Sequence, residues 1–213
     1  MNPRFSIIVP TLDNLDDLEK LILSINSQTL LPEEVVIADS SSTNDIQNRI
    51  DSIPSAFDIT YIRVGRAYPY DRFLRYIFSL PVLRNNKKRF PKGRAFPYEA
   101  TNAGASIAKH RWIAFLDATT IPIDSWLEDY HKLISQEKYD VVFGNTRYFA
   151  DTFFQNLLRA STYGNIGHET APGSIMKTSD FLESYKIKEG VRSGGDVAWR
   201  MRIKNSLSYH VPT

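Results

Sequence analysis

Two uninterrupted apolar runs in this chain each stop at an aspartate, and this constrains the fold more than any other feature. Val35–Ala38 ends at Asp39, and Trp112–Leu116 ends at Asp117. Neither run alternates polar with apolar residues, so both read as strands covered on two faces, as at the centre of a parallel sheet. After Asp117 come small polar residues and Pro122, and an amphipathic segment opens at Asp124 and Trp126. A carboxylate at the carboxyl end of a buried strand lies where open α/β sheets bind ligands. The plain alternative is an aspartate that closes a turn.

Around these runs, strands and helices alternate. Phe5–Val9 is a short apolar strand closed by Pro10 and Thr11. Asp13 or Asn14 caps a helix whose Leu15, Leu18, Ile22 and Ile25 recur at helical spacing. The polar run Ser40–Asn44 leads to a helix over Asp45–Ile53, and Ile59–Val64 reads as a third strand. Pro97 opens a helix to about Lys109, with Gly104 allowing close packing on the sheet. Later come a helix at Ser125–Ser135, a strand at Val141–Gly144 and a helix at Phe153–Ala160. Gly164–Gly173 reads as loop, Ser174–Met176 as a short extended piece, and Asp180 as the start of a poor helix. A flexible loop, Gly190–Gly195, precedes a helix at Asp196–Ile203 with Val197, Trp199 and Met201 inward, and Leu207–Val211 closes as a strand. This order predicts one α/β domain: a mostly parallel twisted sheet with helices on both faces.

Residues 65–93 break the rhythm. Aromatic and aliphatic residues from Tyr68 to Leu83 are followed by Arg84, Lys87, Lys88, Arg89, Lys92 and Arg94. A connection this long carries a job or its own structure. It is either a helical hairpin packed on the sheet, or an insertion whose residues 68–94 meet an acceptor or an anionic membrane surface.

At 213 residues, 42% hydrophobic and 12% aromatic, the chain is long and apolar enough for a core. A formal charge of +2 implies no nucleic-acid partner. Absence of cysteine excludes disulfides and thiolate metal sites and fits a reducing compartment. No apolar run approaches the roughly 20 residues that span a bilayer. These features set the expectation of a cytoplasmic protein, with any membrane contact at the inner face.

There is no phosphate-cradling glycine loop, no serine-nucleophile turn and no zinc-type histidine pair. His110, His131, His168 and His210 are scattered. Carboxylates therefore carry whatever chemistry exists. Asp39 and Asp117 share one sheet edge, where a pair of carboxylates suits ribose hydroxyls, a base N–H or a divalent cation. Asp196 follows Gly194-Gly195, which brings a side chain close to a substrate with little bulk in the way; the plain alternative is a helix cap. Trp199 and Arg200, three and four positions on, share its helix face and are expected to line an acceptor site.

The segments Phe5-Ser-Ile-Ile-Val-Pro-Thr11, Val35-Val-Ile-Ala-Asp39, Thr101-Asn-Ala-Gly104 and Trp112-Ile-Ala-Phe-Leu-Asp117 occur in the order and spacing of family 2 glycosyltransferases. Ala171-Pro-Gly-Ser174 and Arg192-Ser-Gly-Gly-Asp-Val-Ala-Trp-Arg200 extend the resemblance over nearly the whole chain. The resemblance implies a GT-A fold and inverting sugar transfer from a nucleotide-sugar donor of UDP, GDP or dTDP type to a glycan or lipid-linked acceptor. It places Pro10, Thr11, Asp13, Asp39, Ser41, Arg94, Asp117 and Thr119 on the donor nucleotide, and it makes Asp196 the base. Residues 1–117 would form the donor half and 118–213 the acceptor and catalytic half, excised from a longer chain.

The motifs also depart from the family. Asp-x-Asp reads Asp117-Ala118-Thr119, so Mg²⁺ or Mn²⁺ would be held weakly through Asp117 and Thr119. Thr101 stands for an arginine, Ser40 for a second aspartate, and Gly195 for the glutamate before the base. A competing expectation is therefore a catalytically weak domain that binds nucleotide or glycan. A nucleotidyltransferase of related topology would need a glycine-rich loop and lysine that are missing.

Overall fold

The computed structural model describes residues 4–65, 95–162 and 164–212. Residues 66–94, which hold Arg94 and nearly all of the basic and aromatic insertion, lie outside the described residues. In chain order the elements are β1 (Phe5–Thr11), α1 (Leu15–Asn26), β2 (Glu34–Asp39), α2 (Asp45–Ile50) and β3 (Asp58–Arg63). Next come α3 (Pro97–Ser106), β4 (Trp112–Phe115), α4 (Trp126–Ser135), β5 (Val141–Thr146) and α5 (Phe153–Ala160). The last are β6 (His168–Lys177), α6 (Thr178–Asp180) running into a π-helical turn at Phe181–Tyr185, α7 (Gly195–Lys204) and β7 (Tyr209–His210).

The strands form one seven-stranded sheet in the order β3-β2-β1-β4-β6-β5-β7. β3, β2, β1 and β4 are parallel to one another, and β6 alone runs against its neighbours. Period-two alternation splits the buried strands between two cores. Ile7, Val9, Val35, Ile37, Trp112 and Ala114 pack under α1 and α4. Ile8, Val36, Ile113, Phe115 and Phe143 pack against Phe181, Trp199 and Ile203 on the other face. This is the expected α/β sheet, covered on both faces.

One buried charge lies inside the sheet. Glu34 accepts hydrogen bonds from Ser6 Oγ (2.8 Å), Thr60 Oγ1 (2.8 Å) and the Lys109 amide (3.1 Å), and it pairs with Lys109 Nζ at 3.0 Å. Burial alone would raise its pKa, but these donors outweigh it and hold the group below the usual carboxylate range.

The second half differs from expectation in detail. His168–Lys177 is one long strand, where loop and a short extended piece were expected. Pro172 and Gly173 are tolerated because the β5–β6 pairing shifts register there, and Ser174 Oγ accepts from the Gly144 amide at 2.9 Å. A Cβ on Gly144 would fall 1.9 Å from the Pro172 carbonyl, so the bulge needs glycine at that position. In α7 the inward residues are Gly195, Trp199 and Ile203, while Val197 and Met201 face solvent. Asp45–Ile53 shortens to α2, and only Tyr209–His210 of Leu207–Val211 pairs as strand.

Candidate active site

The carboxyl ends of β1 and β2 stand side by side, with Pro10 opposite Ala38 and Thr11 opposite Asp39. The Leu116 amide donates to the Ile8 carbonyl, which leaves Asp117 one residue beyond the sheet on the same edge. Four of the expected residues therefore meet at one mouth.

Asp39 is fully buried, and its carboxylate is committed internally. Oδ1 accepts from the Ser41 amide at 2.7 Å, and Oδ2 accepts from Tyr61 Oη at 2.8 Å and pairs with Arg63 at 3.2 Å. Arg63 also donates to the Ser41 and Thr43 carbonyls and to Asn44 Oδ1. Asp39 thus anchors the loop after β2, and its own oxygens are occupied. The loop in turn holds its neighbour: Ser41 Oγ accepts from the Asp13 amide at 2.7 Å. Asp13 has φ 51°, a left-handed conformation that a non-glycine residue adopts at some cost. Thr11 Oγ1 and Ser40 Oγ are buried at this mouth and have no hydrogen-bond partner among the described residues.

Asp117 is exposed; its carbonyl accepts from the Thr120 amide at 2.9 Å, and its carboxylate makes no hydrogen bond or ion pair with a described residue. Enough protein surrounds it that burial, with the charge of Asp196 second, pushes its carboxyl up to about 6. Both properties together describe an exposed carboxylate crowded by protein and by a second charge. Ala118 beside it is buried, and Thr119 is exposed.

Asp196, on α7, lies close enough for its charge to act on Asp117. Gly194, with φ 79°, is the N-cap residue, so Asp196 lies in the first turn, where the helix dipole favours negative charge. Tyr98 Oη donates to Asp196 Oδ1 at 3.0 Å, and Arg200 Nη2 stands 3.6 Å from Oδ2. Arg200 donates to Glu169 Oε1 at 3.0 Å, and Lys204 pairs with Glu169 Oε2 at 2.6 Å. Beyond Glu169 is an open hollow of about 470 Å³ lined by Asn145, Arg147, Asn165 and Ile166. Trp199 corrects the sequence reading. It is 1% exposed, packed against Phe115 and Phe143, with Nε1 donating to the Tyr185 carbonyl, so it fills the core and lines no cleft.

The loop before α7 is clamped to α3. Asn102 Nδ2 donates to the Ile187 carbonyl (2.8 Å) and to Glu189 Oε1 (3.0 Å), and Asn102 Oδ1 accepts from the Ile187 amide. Glu99 Oε1 accepts from the Gly190 amide at 3.3 Å. Gly104 lets α3 lie this close, since a Cβ there would fall 2.8 Å from Ile8 Cγ2. Tyr98, Glu99, Asn102 and Glu169 were not singled out from sequence. Asn102 and Gly104 fall within a quoted motif, whereas Tyr98 and Glu169 carry no local signal.

Among the described residues no three His, Cys, Asp or Glu side chains converge as a metal site. The two residues expected to hold a metal are one carboxylate, Asp117, and one exposed hydroxyl residue, Thr119. An unpartnered carboxylate of raised pKa fits a cation that brings further oxygen ligands with it. It does not form a cage of its own.

The sequence model of Glycosyl transferase family 2 matches residues 6–68 and 83–195, well over half of the chain. The chain belongs to glycosyl transferase family 2. Among curated relatives of this family 2 chain is glycosyltransferase AglE of Haloferax volcanii, 22% identical over 215 residues that cover 96% of this chain and 62% of AglE. Chondroitin synthase of Escherichia coli is 23% identical over 203 residues, covering 94% of this chain and 24% of that protein. Solved structures with the same fold include S. aureus TarS 1–349 in complex with UDP-GlcNAc, with a TM-score of 0.65 and 16% identity, covering 98% of this chain and 56% of TarS. Mannosyltransferase PcManGT from Pyrobaculum calidifontis, in complex with GDP-Man and Mn²⁺, has a TM-score of 0.64 and 17% identity, covering 100% of this chain and 55% of that one. The GT-A fold expected from the motifs is the fold found. This family 2 chain thus spans between a quarter and three-fifths of the length of these relatives. Among its described residues no helix is long and apolar enough to cross a membrane.

Proposed function

We propose that this chain transfers a sugar from a nucleotide-sugar donor to an acceptor hydroxyl with inversion at the anomeric carbon, and that Asp196 is the general base. The observation that carries this reading is that two carboxylates from different elements, Asp117 beyond β4 and Asp196 on α7, lie within electrostatic reach of each other. Family membership and relatives crystallised with UDP-GlcNAc and GDP-Man support a nucleotide-sugar donor.

In this reading the nucleoside sits over Pro10, Thr11 and Asp13, with the unsatisfied Thr11 and Ser40 hydroxyls available to it. Asp39 acts indirectly, by shaping the Ser40–Asn44 loop. Asp117 and Thr119 face the diphosphate, and Arg94 would add positive charge there. A divalent ion, where used, would be held by Asp117, Thr119 and the donor's phosphates and would neutralise charge on the departing diphosphate. Asp196 takes the proton of the acceptor hydroxyl as that oxygen attacks the anomeric carbon and the carbon–phosphate-oxygen bond breaks. The acceptor, a glycan or a lipid-linked one, approaches past Arg200 and Glu169 from the hollow at Asn145 and Arg147.

The single hydroxyl where a second carboxylate would stand, Thr119, favours a second reading as a catalytically weak binding domain. Release of nucleotide from a panel of UDP-, GDP- and dTDP-sugars, with and without Mn²⁺, separates the two. Sustained turnover of one donor supports the transferase. Saturable donor binding without turnover supports the binding domain.

A further inference from the structure

We infer that Tyr98 is a positioning residue for Asp196: its phenol fixes one carboxylate oxygen so that the other is presented to the acceptor. The inference rests on the reading of Asp196 as base and adds a residue to it. The hydrogen bond from Tyr98 Oη to Asp196 Oδ1 is 3.0 Å long and joins residues 98 positions apart in the chain. Such a bond to a charged acceptor is stronger than one between neutral groups.

The ring has a seat made for it. A Cβ on Gly195 would fall 2.6 Å from Tyr98 Cε2 and 2.8 Å from Cδ2, so any side chain at position 195 would displace the tyrosine. Gly195 lies inside α7 with no left-handed backbone angle, so its missing side chain makes room for the ring and serves no conformational need. Tyr98 is held in turn by the first turn of α3, where Glu99 closes on the Phe96 amide at 2.9 Å and on the Gly190 amide at 3.3 Å.

Asp196 has a competing partner. Arg200 Nη2 lies 3.6 Å from Oδ2, just outside hydrogen-bond reach, and Glu169 draws the same guanidinium away at 3.0 Å. Without the phenol, the carboxylate is free to rotate onto Arg200 and lose its aim at the acceptor. The charge of Asp117 repels it as well. Among the described residues, the groups that act on Asp196 are Tyr98 from α3, Arg200 from its own helix, Asp117 beyond β4, and Glu169 of β6 through Arg200.

The test uses the full chain and two substitutions. Tyr98→Phe keeps the ring and removes the donor, and Gly195→Ala keeps the hydroxyl and takes the ring's space. Nucleotide release from UDP-GlcNAc and from GDP-mannose is followed beside melting curves that confirm folding. Both variants should lose about tenfold in kcat with donor KM unchanged, the low end for a hydrogen bond to a charged group because solvent reaches Asp196. Adding Tyr98→Phe to Asp196→Asn should cost nothing further, since the phenol acts only through the carboxylate. Wild-type kcat in either folded single variant, beside an inactive Asp196→Asn, overturns the role of Tyr98 and leaves the base in place. Near-normal turnover in Asp196→Asn removes the base and this inference with it. A readout independent of turnover is the ring-labelled tyrosine NMR signal of Tyr98. Burial raises the pKa of this phenol, backbone hydrogen bonds from Asp196 and Gly195 lower it, and the charge and hydrogen bond of the Asp196 carboxylate raise it further. It should titrate at lower pH in Asp196→Asn, and an unchanged titration would show that the contact does not exist in solution.

Discussion

Asp117 lies within electrostatic reach of Asp196, and that second charge adds to burial in pushing the Asp117 carboxyl up to about 6. The two aspartates come from opposite halves of the chain, one just beyond β4 and the other in the first turn of α7. Their mutual repulsion costs the free protein stability, and a ligand that brings positive charge would relieve it.

This gives a prediction with a definite sign. The Asp117 carboxyl is pushed up to about 6 in the folded chain, above the ordinary aspartate range, so the folded form holds its proton more tightly than the unfolded form. Its contribution to stability falls as pH rises from about 4 through 6 and stays unfavourable above that. Asp117→Asn should therefore raise the melting temperature at pH 7.5 and leave it unchanged near pH 3.5, while weakening donor affinity. Melting curves at the two pH values and calorimetric titration with a nucleotide-sugar check both parts. Equal donor affinity in variant and wild type would place Asp117 outside the donor site.

Metal binding should follow the donor. With Asp117 and Thr119 as the protein ligands, the free chain should bind Mn²⁺ weakly, and nucleotide-sugar should tighten that binding. Isothermal titration with Mn²⁺, with and without UDP-GlcNAc or GDP-mannose, reads this directly. Tight stoichiometric binding to the free protein would reveal a ligand set beyond these two residues.

Asn102 ties α3 to the loop that leads into α7 through three hydrogen bonds, two of them to the backbone of Ile187. Asn102→Ala leaves a buried amide and carbonyl unsatisfied and should cost about 2–3 kcal/mol of stability. Because that loop leads into the helix that carries Asp196, kcat should fall more than donor KM rises. Urea unfolding and steady-state kinetics on the same preparation make the comparison. A variant that loses stability and keeps full kcat would show that the clamp does not position the base.

Much of the donor side was legible because it depends on local patterns. The unbroken runs Val35–Ala38 and Trp112–Leu116 could only be buried strands, and their terminal aspartates had to share an edge once the sheet was parallel. The state of Asp39 was not legible. Its partners Tyr61 and Arg63 come from the adjacent strand β3, which read only as an alternating segment. Trp199 faces inward as its spacing suggested, which removes it from an acceptor site, while Val197 and Met201, expected inward beside it, face solvent because the inward stripe is Gly195, Trp199, Ile203. β6 was missed because Pro172 and Gly173 weaken any strand pattern, and the bulge that accommodates them needs Gly144 from a strand some thirty residues earlier. Tyr98 was invisible for the same reason, since its partner is 98 residues away.

The general-base role of Asp196 is tested most directly by Asp196→Asn, which keeps the shape of the side chain but cannot take a proton. Transfer kinetics and nucleotide-sugar titration on the same variant read the two halves of the mechanism separately. The account predicts a fall in kcat of about 10² to 10⁴ with donor affinity nearly unchanged. Near-normal turnover would remove Asp196 from the chemistry, and a large loss of donor affinity would move it to the donor site.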